Sequence, residues 1–594
     1  MHSGRIGDLG LTPAFGYAVD ALADGLAGER ARRTQVSATT RERNEETAAP
    51  MQEREAKSGT SWRARLPQWA SGRLALGGCA LIMAIGLGLR LLGIAWGAPD
   101  RLDFNYDEDG LVMQRALQIS WSNLDERYPG YPSFLYFLIA GTCAILRRLG
   151  VVSETWHAYL VGRHISVFFG VLTVAAAFAL ARRLGGRNTA AMLAALWVAL
   201  LPLHVWESHF AATDVLMTFW ITAALVASLR LFEKQRSADY ALAGALCGLA
   251  TGSKYTAALV FVAPAVAAVA SGVRPARAVR LLAVAAVAGL AACFIVTPFT
   301  FIQFADFWQG MEFENQHVHG GHYGFSLPAP GPLYRRYIYQ LAAAWPFSFG
   351  FALYACALVG VAYAARRLGR RGLVVLAFAG VFFGVTGSWT FTPLRYSLPI
   401  LVIGAVLAGL WQEAWLAAPG RARRLVGAAA VVATAGYTGI FTYQTTDRFR
   451  HDTRIEAGDW IRSEVPAGTN MLFLGYHPYM AWASRERHAV HFAEDNTIGD
   501  VRFLQRHELI QLSSMMYERA YRHRNAMVHG YHKLRVHQRP FTLVKRFTAP
   551  FLNKAWYRYL DPMFEGYFVS PTIELYVRDD KLASYGVGGA PPAE

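Results

Sequence analysis

Asp107, Glu108 and Asp109 stand side by side in Phe104-Asn-Tyr-Asp-Glu-Asp-Gly110, directly after an apolar run from Leu74 to Trp96. A carboxylate can take a proton from a hydroxyl, whereas carboxylates at the edge of a membrane cost solvation free energy if they approach the lipid. Farther along come Arg163-His164, Glu207-Ser-His209, Asp214, Lys254 and Arg395-Tyr396, all at the ends of apolar stretches. Separated cations suit a bound phosphate, which arginine grips in a bidentate fork and lysine meets as a point charge. Acids and bases gathered on one side of a helical bundle read as a reaction site rather than a pathway through the membrane.

Each residue also has a plainer reading. The acidic run before Gly110-Leu-Val-Met-Gln-Arg-Ala-Leu117 could be a solvated loop or a helix cap, though a cap needs one carboxylate rather than three. Asp109 is the member expected to cap, and Asp214 could do no more than open its own helix. Lys254 could snorkel to the headgroups, and Arg163 and Arg395 could be lipid anchors. His317, His319 and His322 in His-Val-His-Gly-Gly-His carry metal-ligand chemistry. They read as loop residues without fixed geometry, so no metal is expected.

The elements that must position these groups follow from composition. Of 594 residues, 54 % are apolar and 17 % charged, which sets the chain apart from soluble proteins, where about a quarter are charged. The net charge of +16 is carried in short loops between apolar runs, the positive-inside pattern, and not along one face as nucleic-acid binding would require. Cys79, Cys143, Cys247, Cys293 and Cys356 all lie within apolar segments without CxxC spacing and read as packing residues.

Apolar runs long enough, or nearly so, to cross a bilayer occur at 74–97, 163–181, 189–205, 214–232, 240–252, 255–271, 278–297, 340–364, 372–389, 396–415 and 424–443. The first external loop is expected at 98–162, with its own apolar segment 131–147 folded back without crossing. Only then do the four basic loops beginning at Ala181, Val273, Ala365 and Gly420 share the cytoplasmic side. The expected architecture is an α-helical polytopic membrane protein with about 11 to 13 transmembrane helices. Its divisions are a disordered cytoplasmic tail over 1–65, a membrane domain over 66–444, and an extracytoplasmic α/β domain over 445–594 that starts with an amphipathic helix ended by Pro466.

The Asp107-Glu108 pair after the first span resembles the signature of the GT-C glycosyltransferases that use polyprenyl-phosphate sugars. The closer likeness is to glycosyltransferase family 39, which includes protein O-mannosyltransferases and lipid A aminoarabinose transferases. The stretches YPGYPSFLYFL, GRHISVFFGVLTVAAAFALARRLGG, ESHFAATDVLMTFW, GLATGSKYTAAL and LRYSLPILVIGAVLAG follow the family's order between about residue 74 and residue 443. Two departures are YPGYPS in place of adjacent prolines and the tripled acid.

The resemblance implies a GT-C-like fold in a plasma membrane, with the site and the C-terminal domain outside. It implies a polyprenyl-phosphate-linked sugar as donor, a hydroxyl of a lipid, glycan or protein as acceptor, a single inverting displacement, and no obligatory metal. Asp107 would be the general base with Glu108 beside it, and Asp214 and His209 would orient base or acceptor. Lys254, Arg395, Arg163 and Tyr396 would hold the donor phosphate, with Arg163 alternatively holding the acidic loop. A multi-pass transporter and a non-catalytic polyprenyl-lipid-binding subunit are the competing classes.

Overall fold

The computed structural model describes residues 68–585, apart from 100–101, 103–104, 106, 121, 126–129, 322–332, 392, 475–486, 494, 524–526, 551–555 and 557–568. The expected tail over 1–65 and His322 fall outside these residues. By its contacts the chain divides into residues 1–73, of which only the start of the first helix is described, and residues 74–594.

The membrane-type part runs α1 (Gln68–Leu91), α2 (Phe134–Arg148), α3 (Thr155–Arg183), α4 (Asn188–Ala199), α5 (Pro202–Glu207), α6 (Thr213–Arg230), α7 (Ser237–Ser253), α8 (Val262–Ala270), α9 (Pro275–Val296), α10 (Phe304–Gly320), α11 (Phe351–Arg367), α12 (Gly369–Thr386), α13 (Leu398–Leu416) and α14 (Arg421–Asp447). A helix that is apolar all round belongs in the interior. α13 is such a helix, buried without interruption from Leu398 to Leu410 and packed on α4 and α11. α1 and α9 instead leave Leu74, Leu76, Leu81, Val287 and Ile295 exposed, as lipid-facing helices do.

Small residues let the inner helices approach. A Cβ on Gly244 would sit 1.9 Å from the Ala285 carbonyl oxygen, and one on Gly248 2.1 Å from that of Gly289, so α7 and α9 touch backbone to backbone.

Among the described residues, seven helices are long and apolar enough to cross a membrane: Arg73–Leu91, Thr155–Arg183, Thr213–Arg230, Pro275–Val296, Gly369–Thr386, Leu394–Leu416 and Arg421–Asp447. The other expected crossings fall on shorter helices because their apolar runs are broken. Pro202 restarts the chain as α5 after α4 stops at Ala199. Lys254, with extended φ and ψ of −161° and 128°, separates α7 from a 3₁₀ turn over Tyr255–Phe261. Segment 131–147 forms the 15-residue α2, which buries Leu135, Tyr136, Ile139 and Cys143.

The C-terminal part is α/β, as expected. α15 (Thr453–Glu464) leads into a five-stranded sheet of β1 (Asn470–Leu474), β2 (Ala489–Ala493), β3 (Leu509–Ser513), β4 (Phe541–Phe547) and β5 (Ile573–Arg578). The order is β2-β1-β3-β5-β4, with β1 parallel to β2 and β3, and β5 antiparallel to both its neighbours. α16 (Ser514–His523) and α17 (Met527–Arg535) cover one face through Met516, Tyr517, Tyr531 and Leu534. α15 covers the other through Ala457 and Ile461.

This domain packs directly on the helical part. Trp96, Phe210, Phe449 and Val569 form one buried cluster, and Ser570 Oγ donates to the Arg448 and His451 carbonyls at 3.0 and 2.9 Å.

Candidate active site

The singled-out residues sit where helices break. Glu108 lies in a π-helical turn, Asp107–Met113, a geometry that concentrates at functional sites. Asp214 is in the first turn of α6, Lys254 is the extended link after α7, and Arg395 is in the 3₁₀ turn Leu394–Ser397. Inside a membrane protein, backbone freed from helix persists only where it is buried in protein or lines a cavity.

Two charge clusters result. In the first, Arg163 of α3 donates from Nε and Nη2 to the two carboxylate oxygens of Glu108, both at 2.8 Å, and from Nη1 to the carbonyls of Ile94 and Trp96 at 3.0 and 2.6 Å. The Ala211 amide donates to Glu108 Oε1 at 2.9 Å. Both side chains are buried. Such a pair is tolerated when its geometry is close and further hydrogen bonds reach it, as those from the Ala211 amide and to the Ile94 and Trp96 carbonyls do here. Glu108 is therefore held in a bidentate clamp, and Arg163 pairs with the acidic turn and not with Asp214.

The backbone of Asp107 opens that π turn; its side chain lies outside the described residues. Asp109 accepts from Tyr159 Oη and, at 3.3 Å, from Gln114 Nε2, so it ties the turn to α3, while the cap position of the next helical turn, Gln114–Gln118, is Met113.

The second cluster gathers Asp214, Lys254, Arg395 and Tyr396. Lys254 Nζ donates to Asp214 Oδ1 at 2.8 Å, and Arg395 Nε lies 3.6 Å from Asp214 Oδ2. The Lys254 ammonium sits 4.2 Å from the centre of the Tyr396 ring and the Arg395 guanidinium 5.6 Å from it, within cation–π range. Asp214 is thus the carboxylate between two cations, a place that the expectation of an acceptor-orienting role did not foresee. One carboxylate between two cations leaves one net positive charge at this point.

Lys254 and Tyr396 also line a cavity of about 140 Å³, together with Tyr255, Trp389 and, from α10, Glu314 and Asn315. Glu314 and Asn315 carried no sequence signal of their own. His317 and His319 lie on α10 rather than in a loop; the helix runs on to Gly320 and ends where Gly321 turns to φ 88°. His317 packs edge-on to Phe391, and His319 Nδ1 faces the Asn315 carbonyl at 2.8 Å. Among the described residues, no group of three or more His, Cys, Asp or Glu is placed to hold a metal ion.

His209 is buried in the wall, its Nδ1 and Nε2 each 2.9 Å from a carbonyl oxygen, of Val205 and Leu92, and its ring stacked on Phe449 at 4.2 Å. It positions the turn after α5 and does not reach the cavity lining. A further structural cation, Arg90, is fully buried. It donates to the carbonyls of Gly86, Ala199 and Val198 and to Ser208 Oγ, and meets His204 Nδ1 at 2.9 Å.

Trp96 joins the first cluster to the C-terminal domain. Its carbonyl accepts from Arg163, and its indole N–H donates to Asp452 Oδ2 at 2.8 Å. Asp452 caps α15 through the Arg454 amide at 2.8 Å and accepts twice from the Arg454 side chain, at 3.0 and 2.7 Å. Burial raises the Asp452 carboxyl, but the Arg454 charge and hydrogen bonds from Arg454 and Trp96 outweigh it and hold the group below its ordinary value. A depressed carboxyl contributes stability above its unfolded value and loses it only as pH falls through the folded one, so this joint is complete at neutral pH.

Against known proteins, residues 136–300 match the family model for dolichyl-phosphate-mannose-protein mannosyltransferase. No curated protein matches the chain. Among solved structures, ArnT from Cupriavidus metallidurans bound to undecaprenyl phosphate is similar at 12 % identity and a TM-score of 0.44, over 84 % of this chain and 98 % of that one. An oligosaccharyltransferase from Archaeoglobus fulgidus is similar at 14 % identity and a TM-score of 0.43, over 75 % and 70 %. The protein O-mannosyltransferase Pmt1-Pmt2 complex of S. cerevisiae bound to the sugar donor aligns at 18 % identity and a TM-score of 0.31, over 39 % and 34 %. The family match agrees with the resemblance of the motifs and with the glycosyltransferase class it carries.

Proposed function

We propose that this membrane glycosyltransferase takes a sugar from a polyprenyl-phosphate donor and passes it to a hydroxyl of a lipid, glycan or protein on the extracytoplasmic face. The observation that carries the reading is the convergence of Lys254 and Arg395 on Asp214, with Tyr396 beneath and the cavity alongside.

In the displacement, the acceptor oxygen forms its bond to the anomeric carbon as the bond from that carbon to the phosphate oxygen breaks. The phosphate leaves with the electron pair and gains a second negative charge, and the acceptor's proton passes to a carboxylate. Cations fixed before reaction stabilise the growing charge without reorganising. Asp214 keeps Lys254 and Arg395 in place for that moment. Attack from the face opposite the leaving phosphate inverts the anomeric configuration.

Asp107 is the proposed base. Its neighbour Glu108 has both oxygens engaged by Arg163, which fixes the turn that begins at Asp107. Arg163, Glu108 and His209 are positioning residues in this scheme.

Lys254→Ala and Arg395→Ala are expected to weaken donor use about ten- to hundredfold each, in line with losing a charged contact of about 1.5–3 kcal/mol. Titration of polyprenyl-phosphate sugar with purified protein in bilayer discs measures this, and unchanged donor affinity in both variants would remove the cluster from donor binding. The sidedness has its own check. A single cysteine at exposed Trp556 in a cysteine-free background should react with an impermeant maleimide in intact cells, and protection there would reverse the orientation.

A further inference from the structure

We infer that Glu314 and Asn315 of α10 read the sugar of the donor. The inference rests on the donor-phosphate site proposed above and names what lies beside it. Lys254 and Tyr396 belong both to the cation cluster and to the wall of the cavity, so whatever is esterified to a phosphate held there enters the same space. Across that space α10 presents Glu314 and Asn315, and Tyr255 and Trp389 supply aromatic walls.

A carboxylate and an amide facing aromatic surfaces suit a sugar ring. The carboxylate accepts from hydroxyls, the amide both donates and accepts, and the apolar ring face packs on the aromatics.

The fold fixes α10 over this space at both ends. A Cβ on Gly310 would come within 2.6 Å of the Gly130 Cα, so the helix lies directly on the loop before α2. At its far end the Val318 carbonyl accepts from the amides of Thr390 and Phe391 at 2.9 and 3.0 Å. Between these anchors Met311, Glu314, Asn315 and Val318 recur at helical spacing along the cavity. The same stripe continues toward the N-terminus as Phe304 and Trp308, which are 59 % and 64 % exposed. One helix face thus runs from apolar surface, suited to a membrane interface, to polar groups at the phosphate cluster. An amphiphile with an apolar chain and a sugar-phosphate head has that sequence of chemistry.

The test measures binding of two kinds of lipid to the full-length protein in bilayer discs: polyprenyl phosphate alone, and polyprenyl phosphate bearing mannose, glucose or galactose. Glu314→Ala should weaken the best-bound sugar lipid about ten- to hundredfold while leaving bare polyprenyl phosphate within twofold, and Glu314→Gln should recover part of the loss. Equal weakening of both lipids would make Glu314 a structural residue and overturn the inference, as would no effect on any sugar lipid. Lys254→Ala separates the two levels, because it should weaken bare and sugar-bearing lipids alike. If it weakens neither, the phosphate site fails and this inference with it; if it weakens both while Glu314→Ala spares the sugar lipids, only the sugar assignment falls.

Discussion

Asp107→Asn is expected to lower turnover by about 10²–10⁴-fold, the range that a positioned general base contributes, while leaving donor affinity near that of the parent protein. The split follows from geometry. The proposed donor contacts come from the link after α7 and the turn before α13, whereas Asp107 belongs to the π turn pinned on α3. An asparagine keeps the volume and hydrogen-bonding shape of the side chain but cannot take a proton. Turnover of polyprenyl-phosphate sugar by purified protein, read beside donor titration, measures the effect. A folded Asp107→Asn protein with full turnover would remove the residue from the role and turn attention to another acceptor of the proton.

The helical class of the molecule was legible because long apolar runs and basic loops report directly on the solvent each segment faces. Residues at the ends of those runs were legible for the same reason. A lysine between Gly252-Ser253 and an apolar stretch has no place in a continuous membrane helix, and Lys254 proves to be an extended break. What the runs hid was their interruptions. An apolar stretch reads alike whether it is one helix or two, so Leu200 and Leu201 between α4 and α5 gave no warning.

Pairings were less legible than residue types. Lys254, Arg395 and Tyr396 were grouped by chemistry, but nothing local tells that Asp214 lies between the two cations while Glu108 goes to Arg163. Trp96 looked like the end of a span, and its partner Asp452 is 356 residues away. Glu314 carried no signal in the sequence; the contact of Gly310 with Gly130 lays α10 on the loop before α2, and Glu314 there lines the cavity. The glycines of His-Val-His-Gly-Gly-His suggested a loop, yet the first serves as the last helical residue and the second as the turn that ends it.

Breaking the Glu108–Arg163 clamp should be the most damaging change to folding. Arg163→Met leaves a buried carboxylate with the Ala211 amide and strips the carbonyls of Ile94 and Trp96 of a donor. Removing one partner of a buried pair costs about 3–5 kcal/mol, a large part of the stability of a typical domain. Glu108→Gln leaves the opposite fault, a guanidinium that is fully buried against a neutral amide. Each single variant is expected to lower the thermal midpoint in detergent and turnover together, since the acidic turn and the Trp96 joint share this arginine.

The double variant Glu108→Gln, Arg163→Met discriminates between a clamp and a catalytic acid. With no uncompensated charge left, it should be more stable than the sum of the single losses predicts, by about 1–3 kcal/mol of coupling, and should regain part of its turnover. If Glu108 itself handled the proton, Glu108→Gln would abolish turnover with little loss of stability, and restoring stability through the second substitution would return no activity. Additive losses in the double variant would mean that the two groups do not act as a unit, and the clamp would have to be abandoned as the reason the acidic turn holds its place.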